Sequence, residues 1–304
     1  MRAARILAGV AVGAALCADA ASLAGQIPLG NPSGRGQTVT PAYEGWYPNA
    51  DGTLSLSFGY FNRNFGETIE VPLGPDNAIE PAEFQGAQPT SFAPRRHYGV
   101  FVVRVPADFG EGKVYWTLKM RGQTLRVPGH VHRDWQIDAL KGEAGDGNTP
   151  PVLRFGGGEE GAGPAGAWGG PLTARAGEPL DVGVHVRDDG VGRSHFVAGS
   201  SDGSPVNLTW FKHQGPGEVT FGERTARVPS SGAEAITPVT FSEPGEYILR
   251  VRANDGSGVS AAGHAQCCWT NGFVRVIVTM TRRVPIRRVP IQGRFPSQAG
   301  GARP

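Results

Sequence analysis

The chain has 304 residues, long enough for two small domains, with 46 glycines, 25 prolines and three cysteines. Turns should be abundant and long helices absent, so the composition predicts an all-β protein. The net charge is +2, but the last 24 residues carry six arginines and no acidic residue, which leaves the rest of the chain mildly acidic. We therefore expect no nucleic-acid partner, since phosphate binding needs a clustered basic face.

The first 24 residues have the pattern of a secretory signal peptide. Arg2 and Arg5 precede an apolar run from Ile6 to Leu16, and small residues suitable for cleavage follow that run. The run is too short to span a membrane, and no later segment has the roughly 20 consecutive apolar residues that a span requires. The sequence therefore predicts export to the periplasm or the extracellular space, with no transmembrane segment.

A flexible leader is expected at 25–40, which is rich in Gly, Pro, Ser and Thr, and a first β-sandwich domain at 41–140. Apolar residues alternate with small or polar ones between 54 and 61, which is the period of a two-faced strand. The last two strands of this half look like a hairpin. Further strands are expected at 68–73, 98–105, 114–120 and 124–127.

A linker is expected at 141–149, followed by a second domain at 150–280 and a disordered basic tail at 281–304. The segment 156–170 is of low complexity and predicts a surface loop or a disordered insert. Seven strands are expected in the second domain, which is the number in a constant-type immunoglobulin sandwich. They are 152–155, 179–187, 207–212, 218–221, 236–241, 246–253 and 273–279.

The second half also carries a resemblance to a known fold family. Leu208 and Trp210 alternate with outward residues, and Tyr247 follows a Pro-Gly turn at the position of a tyrosine corner, whose hydroxyl bonds back to the backbone. These residues resemble PKD-type and related cadherin-like modules of secreted bacterial proteins. Segments 44–47 and 58–64 are similar to openings of secreted bacterial proteins without an assigned activity. The predicted fold class is all-β, with two tandem immunoglobulin-like β-sandwich domains.

Two adjacent cysteines, Cys267 and Cys268, remain after cleavage of the signal peptide. In an oxidising compartment they should be paired. A bridge between neighbours needs a distorted or cis peptide, because the Cα atoms across a trans peptide are only about 3.80 Å apart. We expect a vicinal disulfide, with intermolecular pairing and capture of a soft metal as the alternatives.

Several residues have the chemistry of metal ligands. A His-x-His pair would place both imidazoles on one face if it lay on a strand, but a zinc or copper site needs further ligands. A third histidine, three residues before the cysteines, offers a copper site with them. Three aspartates lie in expected turns, where calcium binding and ordinary turn chemistry are the two interpretations. We predict no cofactor, with calcium and copper as alternatives. The candidate ligands are His130, His132, His264, Asp188, Asp189 and Asp255.

The long connection from Gly74 to Tyr98 mixes aromatic and hydrogen-bonding side chains, and long ordered loops often carry function. Together with nearby aromatic residues it predicts a ligand face for protein or glycan. The structural alternative is that the aromatics are buried and the arginines form a solvated rim. The candidate ligand-binding residues are Trp46, Tyr47, Tyr60, Arg63, Arg95, Arg96 and His97.

The sequence contains no Gly-x-Ser-x-Gly elbow, no His-Glu-x-x-His, no phosphate loop and no dinucleotide fingerprint. We therefore predict a protein that is not an enzyme. The expected function is binding and scaffolding in the cell envelope, engaging protein or glycan through β-sandwich edges and loops. A metal-dependent enzyme or copper- or zinc-binding periplasmic protein is one alternative. The other is a self-assembling surface or filament subunit.

Overall fold

The computed structural model describes residues 33–141, 147–191, 205–255 and 267–280. The predicted signal peptide, the basic tail, His264 and parts of the predicted leader and linker lie outside the described residues. Regular structure in the described ranges is almost entirely β. No helix in these ranges is long and apolar enough to cross a membrane.

The first half contains eight described strands. They form a three-stranded sheet in the order β1-β2-β6, a second in the order β4-β7-β8, and a short pair β3-β5. Two single 3-10 turns, Ala82–Phe84 and Arg133–Trp135, accompany them. The strands are β1 Val39–Pro48, β2 Leu54–Asn62, β3 Ile69–Glu70, β4 Asn77–Glu80, β5 Ser91–Phe92, β6 Arg95–Val105, β7 Val114–Met120 and β8 Gln123–Gly129.

An aromatic core joins the sheets of the first half. Phe58, Phe101 and Trp116 are fully buried and contact one another with ring-centroid distances of 5.0–6.3 Å. Phe58 belongs to the alternating run that predicted β2, and its inward position follows from the period of two. The expected hairpin of β7 and β8 is confirmed, with Arg121 and Gly122 at its turn, both at positive φ.

The second half contains nine described strands. Five form a sheet in the order β10-β17-β16-β12-β14, and four form a facing sheet in the order β13-β15-β11-β9. The all-β fold with immunoglobulin-like sandwiches is therefore confirmed. The strands are β9 Val152–Arg154, β10 Ala167–Arg175, β11 Leu180–Arg187, β12 Val206–Gln214, β13 Val219–Phe221, β14 Thr225–Val228, β15 Ala233–Phe241, β16 Gly245–Asn254 and β17 Trp269–Thr279.

Side chains from both sheets of the second half enclose one hydrophobic core. Leu208, Trp210 and Tyr247 are at most 1% exposed and lie within it. The Tyr247 hydroxyl donates to the carbonyl oxygen of Glu243 at 2.8 Å and accepts from the backbone N–H of Gly217 at 3.0 Å. The backward hydrogen bond expected of a tyrosine corner is thereby confirmed.

Three expectations about loops are wrong. The segment 156–170 is not all loop, because β10 begins at Ala167 and pairs in parallel with β17. Strand β1 begins at Val39, inside the expected leader. The long connection 74–98 contains β4, β5 and the start of β6. The partner of β10 is remote in sequence, so that pairing leaves no local periodic signal. β1 pairs with the next strand, β2, and only Val39 and Thr40 lie inside the expected leader.

Candidate functional site

The two halves meet on the outward face of the five-stranded sheet. The segment 86–88 of the first half lies against the end of β12. The Nε2 atom of His213 is 2.9 Å from the carbonyl oxygen of Ala87. The side-chain amide of Gln214 donates to the carbonyl oxygens of Gly86 at 2.8 Å and Gln88 at 2.7 Å. The segment expected to present ligand residues is therefore used largely to join the halves.

Two buried cations lie at this junction. Arg250 and Arg252 alternate with core residues along β16, so both point away from the sandwich core and towards the first half. Arg250 Nη1 donates to Asn271 Oδ1 at 3.0 Å, and Arg252 Nη1 donates to the carbonyl oxygen of Tyr98 at 3.2 Å. The Arg250 guanidinium also lies 4.6 Å from the ring centroid of Phe211. Burial lowers the pKa of Arg250 to about 10 and that of Arg252 to about 9, which leaves both charged at neutral pH.

Three of the seven predicted ligand residues belong to this junction. Arg96 forms a bidentate ion pair with Glu44, at 2.7 and 2.9 Å. Burial raises the pKa of Glu44, although the charge of Arg96 opposes that shift. His97 stacks on Tyr60 with ring centroids 4.9 Å apart, and burial lowers the pKa of His97 to about 3. These side chains are brought together as internal packing, not as an open surface.

The remaining four predicted ligand residues do not extend this cluster. Tyr47 is buried, and its hydroxyl accepts from the backbone N–H of Ala165 at 3.1 Å. Trp46 is half-buried, and its indole N–H donates to a backbone carbonyl. Arg63 and Arg95 are exposed. The seven residues therefore do not share one exposed ligand face.

The predicted His-x-His pair does not lie on a strand, because β8 ends at Gly129. The rings of His130 and His132 are 6.2 Å apart between centroids. The Nδ1 atom of each accepts a backbone N–H from two residues further on, at 3.2 and 3.3 Å. Over the described ranges no three His, Cys, Asp or Glu side chains are grouped so that they could hold a metal ion.

The three candidate aspartates lie near one another at the end of the second sandwich. Burial raises the pKa of Asp188 to about 6, and the charges of Asp189 and Asp255 add to the shift. The Asp189 carboxylate accepts from the backbone N–H of Thr149 at 2.8 Å and from its hydroxyl at 2.6 Å. The contacts of Asp189 are those of a turn that holds the chain leading into β9.

Cys267 and Cys268 are joined by a disulfide, and the peptide bond between them is cis. Cys268 is buried and immediately precedes β17. The ring of Trp269, the first residue of that strand, lies 4.8 Å from the Arg252 guanidinium. The bridge thus lies beside the junction, and its role stays a prediction.

A cleft with a volume of about 350 Å³ opens between the halves. One wall comes from β6 of the first half, and the other comes from β10, β17 and the segment leading into β10. The lining is mostly apolar and aromatic, which is the usual character of a ligand site. The lining residues are Ala87, Phe101, Val102, Arg104, Ala165, Gly166, Trp168 and Phe273.

Trp168 is the most exposed aromatic side chain of the cleft, at 54%. Its indole stacks on the buried ring of Phe273, with centroids 4.7 Å apart and planes inclined by 20°. The edge of His213 lies against Phe273 at 5.2 Å. One face of the indole is therefore supported from below, while the rest of its surface faces the cleft and solvent.

The segment before β10 is held in place by Asn271, which is fully buried. Its side-chain amide donates to the carbonyl oxygens of Gly99 at 2.6 Å and Pro164 at 2.9 Å. Gly166 has a φ of +62°, and a Cβ there would overlap the carbonyl oxygen of Asn271. Glycine is required at this position by both the backbone conformation and the close approach.

The structure thus defines the class of the protein: an immunoglobulin-like β-sandwich protein with an aromatic cleft where its halves meet.

No known family model and no curated protein matches the chain. Solved structures similar to it include the D0-D1 domain of intimin, at 12% identity over 79% of this chain and 98% of that one, with a TM-score of 0.25. Domains 4 and 5 of the S-layer protein SbsC are 14% identical over 79% and 98%, with a TM-score of 0.20. The C. elegans MSP family member WR4 is 9% identical over 35% of this chain and 92% of that one, with a TM-score of 0.22. Similarities this weak do not bear on function.

None of the seven predicted ligand residues lines the cleft. Phe101, Arg104 and Phe273 were expected to lie in strands, and no ligand contact was predicted for them. Trp168 lies in the segment expected to be a loop. A large aromatic residue amid glycines was the one signal that could have identified it, because such a residue needs a packing or binding partner.

Proposed function

We propose that this is a non-catalytic binding protein of the cell envelope whose junction cleft binds a glycan. The observation that carries the proposal is Trp168, an exposed indole held flat on Phe273 at the wall of a cleft of about 350 Å³. Sugar rings present faces of C–H groups that pack against flat aromatic surfaces. Because Phe273 already fixes the indole, little side-chain freedom is lost on binding.

The character of the lining favours binding over catalysis. Arg104 is the one ionisable side chain among the described residues that line the cleft. Hydrolysis of a glycosidic bond commonly uses two carboxyl groups, one on each side of the bond. The cleft lining supplies no such pair, whereas an aromatic surface with a hydrogen-bonding side chain is sufficient for recognition.

A glycan suits this site better than an extended peptide that adds a strand to the sheet edge. Strand addition needs a regular row of backbone donors and acceptors along β10. The pairing of β10 with β17 shifts register between Gly169 and Leu172, and Pro171 has no N–H to donate. The flat surface of Trp168 does not depend on such a row.

The location in the cell envelope rests on the predicted signal peptide at 1–24. A secreted protein with no catalytic pair in its cleft is well suited to attach to surface or extracellular polysaccharide. Three strands that line the site, β6, β10 and β17, belong to packed sheets, which makes them rigid supports for a ligand.

Affinity electrophoresis tests the proposal. The mature protein is run through native gels containing a series of soluble neutral and acidic polysaccharides. We expect at least one to retard it, and Trp168→Ala to weaken that retardation about tenfold or more, since loss of an aromatic contact of about 1.4 kcal/mol gives that factor. Trp135→Ala is the matched control, because Trp135 is 46% exposed but does not line the cleft.

The control variant should be retarded like the wild type, and circular dichroism should show both variants folded. Equal retardation of wild type and Trp168→Ala, or no retardation by any polysaccharide, would show the proposal to be wrong. Capture of an extended peptide at the same cleft, lost in Trp168→Ala, would replace the glycan with a peptide ligand.

A further inference from the structure

We infer that the cleft selects an acidic glycan, and that Arg104 recognises the carboxylate of a uronic-acid residue. The inference rests on the proposed function and narrows it to one class of sugar. It is carried by the placement of the charged side chain in the cleft. Arg104 on β6 and Trp168 on β10 of the other half both line the cleft, so one ligand in the cleft can contact the cation and the indole.

The position of Arg104 follows from strand geometry. Along β6, Phe101 and Val103 point into the first core, while Val102 and Arg104 point to the opposite face. The second half packs on part of that face. Val102 is half-buried against Tyr47, Ile137 and Ala139. Arg104, two residues further along, lines the cleft with its side chain 57% exposed. The guanidinium is therefore accessible to a ligand without any movement of the strand.

The present partner of Arg104 can be exchanged for a ligand. Arg104 Nη1 lies 3.3 Å from Asp51 Oδ2, and both side chains are more than half exposed, so the ion pair contributes little. Asp51 has partners of its own, because its Oδ1 accepts from the N–H and the hydroxyl of Thr53 at 3.0 and 2.6 Å. A ligand carboxylate that displaces Asp51 therefore leaves no unsatisfied group behind.

The chemistry of the lone cation favours a carboxylate. The planar guanidinium fork matches the planar carboxylate in a bidentate arrangement. Arg104 uses one nitrogen for Asp51, which leaves Nη2 and Nε available in the described part of the chain. A sulfate or phosphate carries more charge or more acceptor oxygens than one exposed arginine can satisfy, and the cleft lining offers no second cation.

The test uses trigalacturonic acid and its fully methyl-esterified form, which differ in charge but share the sugar rings. Isothermal titration calorimetry measures the Kd of each for the mature protein at low salt. We expect the wild type to bind the acid about tenfold more tightly than the ester, as one charge-assisted bidentate contact implies. Arg104→Gln should abolish the preference for the acid, because it should weaken acid binding about tenfold more than ester binding. Arg104→Lys should retain part of the preference.

Two variants separate this inference from the proposed function. Trp168→Ala should weaken binding of both trisaccharides, because it removes the surface that each would contact. Arg126→Gln is the matched control, since Arg126 is an exposed arginine paired with Glu80 outside the cleft lining, and it should behave like the wild type.

The outcomes are distinct. An unchanged ratio of acid to ester affinity in Arg104→Gln overturns the role of Arg104, while loss of binding in Trp168→Ala still supports a glycan cleft. Preference of the wild type for the ester or for a neutral polysaccharide overturns the acidic class alone. Absence of binding to both trisaccharides and to every polysaccharide in the gel series overturns both proposals.

Discussion

At the scale of single residues, the side chain of Asn271 links three separate segments of the chain. Its amide group donates to the first half at Gly99 and to the segment before β10 at Pro164, while its carbonyl accepts from Arg250. All three contacts are buried. Because Pro164 directly precedes two lining residues, Asn271 helps to position this cleft wall, together with the Tyr47 hydroxyl that accepts from the N–H of Ala165.

We expect Asn271→Ala to lower the free energy of unfolding by about 2–4 kcal/mol, since two buried carbonyls and a buried guanidinium lose a partner. Asn271→Asp keeps the acceptor for Arg250 but directs a carboxylate at two carbonyl oxygens. It should therefore also destabilise the protein, by about 2 kcal/mol or more. Urea denaturation followed by fluorescence measures both. If Asn271→Asp is as stable as the wild type, the two bonds to carbonyl oxygens do not contribute as described.

The predicted ligand residues and Trp168 together show how far a sequence can predict a site. Trp46, Tyr60, Arg96 and His97 have the composition of a ligand face, but their surroundings are set by a second half that is far away in sequence. The signal of Trp168 was weak because its support, Phe273, is more than a hundred residues away. Composition identifies residues that need a partner, whereas tertiary contacts decide whether that partner is protein or ligand.

At the scale of elements, the tyrosine corner fixes the start of β16 to the turn that follows β12. The Tyr247 hydroxyl bridges Glu243, two residues before the strand begins, and Gly217 in that turn. The same turn is close to the end of β12, which carries His213 and joins the first half. The corner therefore supports the sandwich and, indirectly, the junction.

Tyr247→Phe should reduce the free energy of unfolding by about 1–2 kcal/mol, because the ring still fills the core while the buried N–H of Gly217 and the carbonyl of Glu243 lose their partner. Tyr115→Phe is the matched control. The hydroxyl of Tyr115 has no hydrogen bond to any described residue, and its ring lies 3.8 Å from the Arg126 guanidinium. Thermal and urea unfolding of the two variants should differ. Equal stability would mean that the corner bonds are offset by solvation in the unfolded chain.

Strands with a clear period of two were predicted well, and the others were not. β2 and β16 carry alternating apolar residues, and the paired strands β7 and β8 are joined by a turn with a recognisable residue, Gly122. β10 was not predicted, because it is Gly-rich and pairs in parallel with β17, which is distant in sequence. β14 is only four residues long and pairs at the edge of its sheet. Short or edge strands depend on their neighbours for stability, so their own sequences are weak evidence.

At the scale of the whole molecule, the halves meet through a polar and cation-rich junction. On β2, Ser55 and Ser57 alternate with apolar residues, as they would on a strand with one solvent-exposed face, and yet both are fully buried. A Cβ at Gly99 would meet both the indole of Trp269 and the hydroxyl of Ser57, which places β2 and β6 against β17. A face that looks solvent-exposed in sequence is thus covered by the second half, and local periodicity contains no information about that contact.

Two histidines make this junction sensitive to acid. Burial lowers the pKa of His97 and His213 to about 3, whereas each should titrate near 6.5 in the unfolded chain. The unfolded state therefore binds more protons between pH 6.5 and 3. Stability is fully present above pH 6.5 and declines as the pH falls, by up to about 1.4 kcal/mol per pH unit for each histidine. Asp188, with a pKa raised to about 6, acts in the opposite direction, because the folded state holds its proton more tightly.

His213→Gln isolates one of these contributions. Glutamine can still donate to the carbonyl oxygen of Ala87 but does not titrate, so the variant should have nearly wild-type stability at pH 7.5. In the wild type, protonation would put a donor on Nδ1, which is buried without a partner among the described residues, and would add a charge near Arg250. Between pH 6.5 and 4.5 the wild type should lose about 2 kcal/mol more unfolding free energy than the variant. Asp188 and Glu44 titrate in both proteins and cancel in the difference. Urea unfolding at four pH values measures the two curves, and parallel curves would show that His213 is protonated, or solvated, in the folded junction.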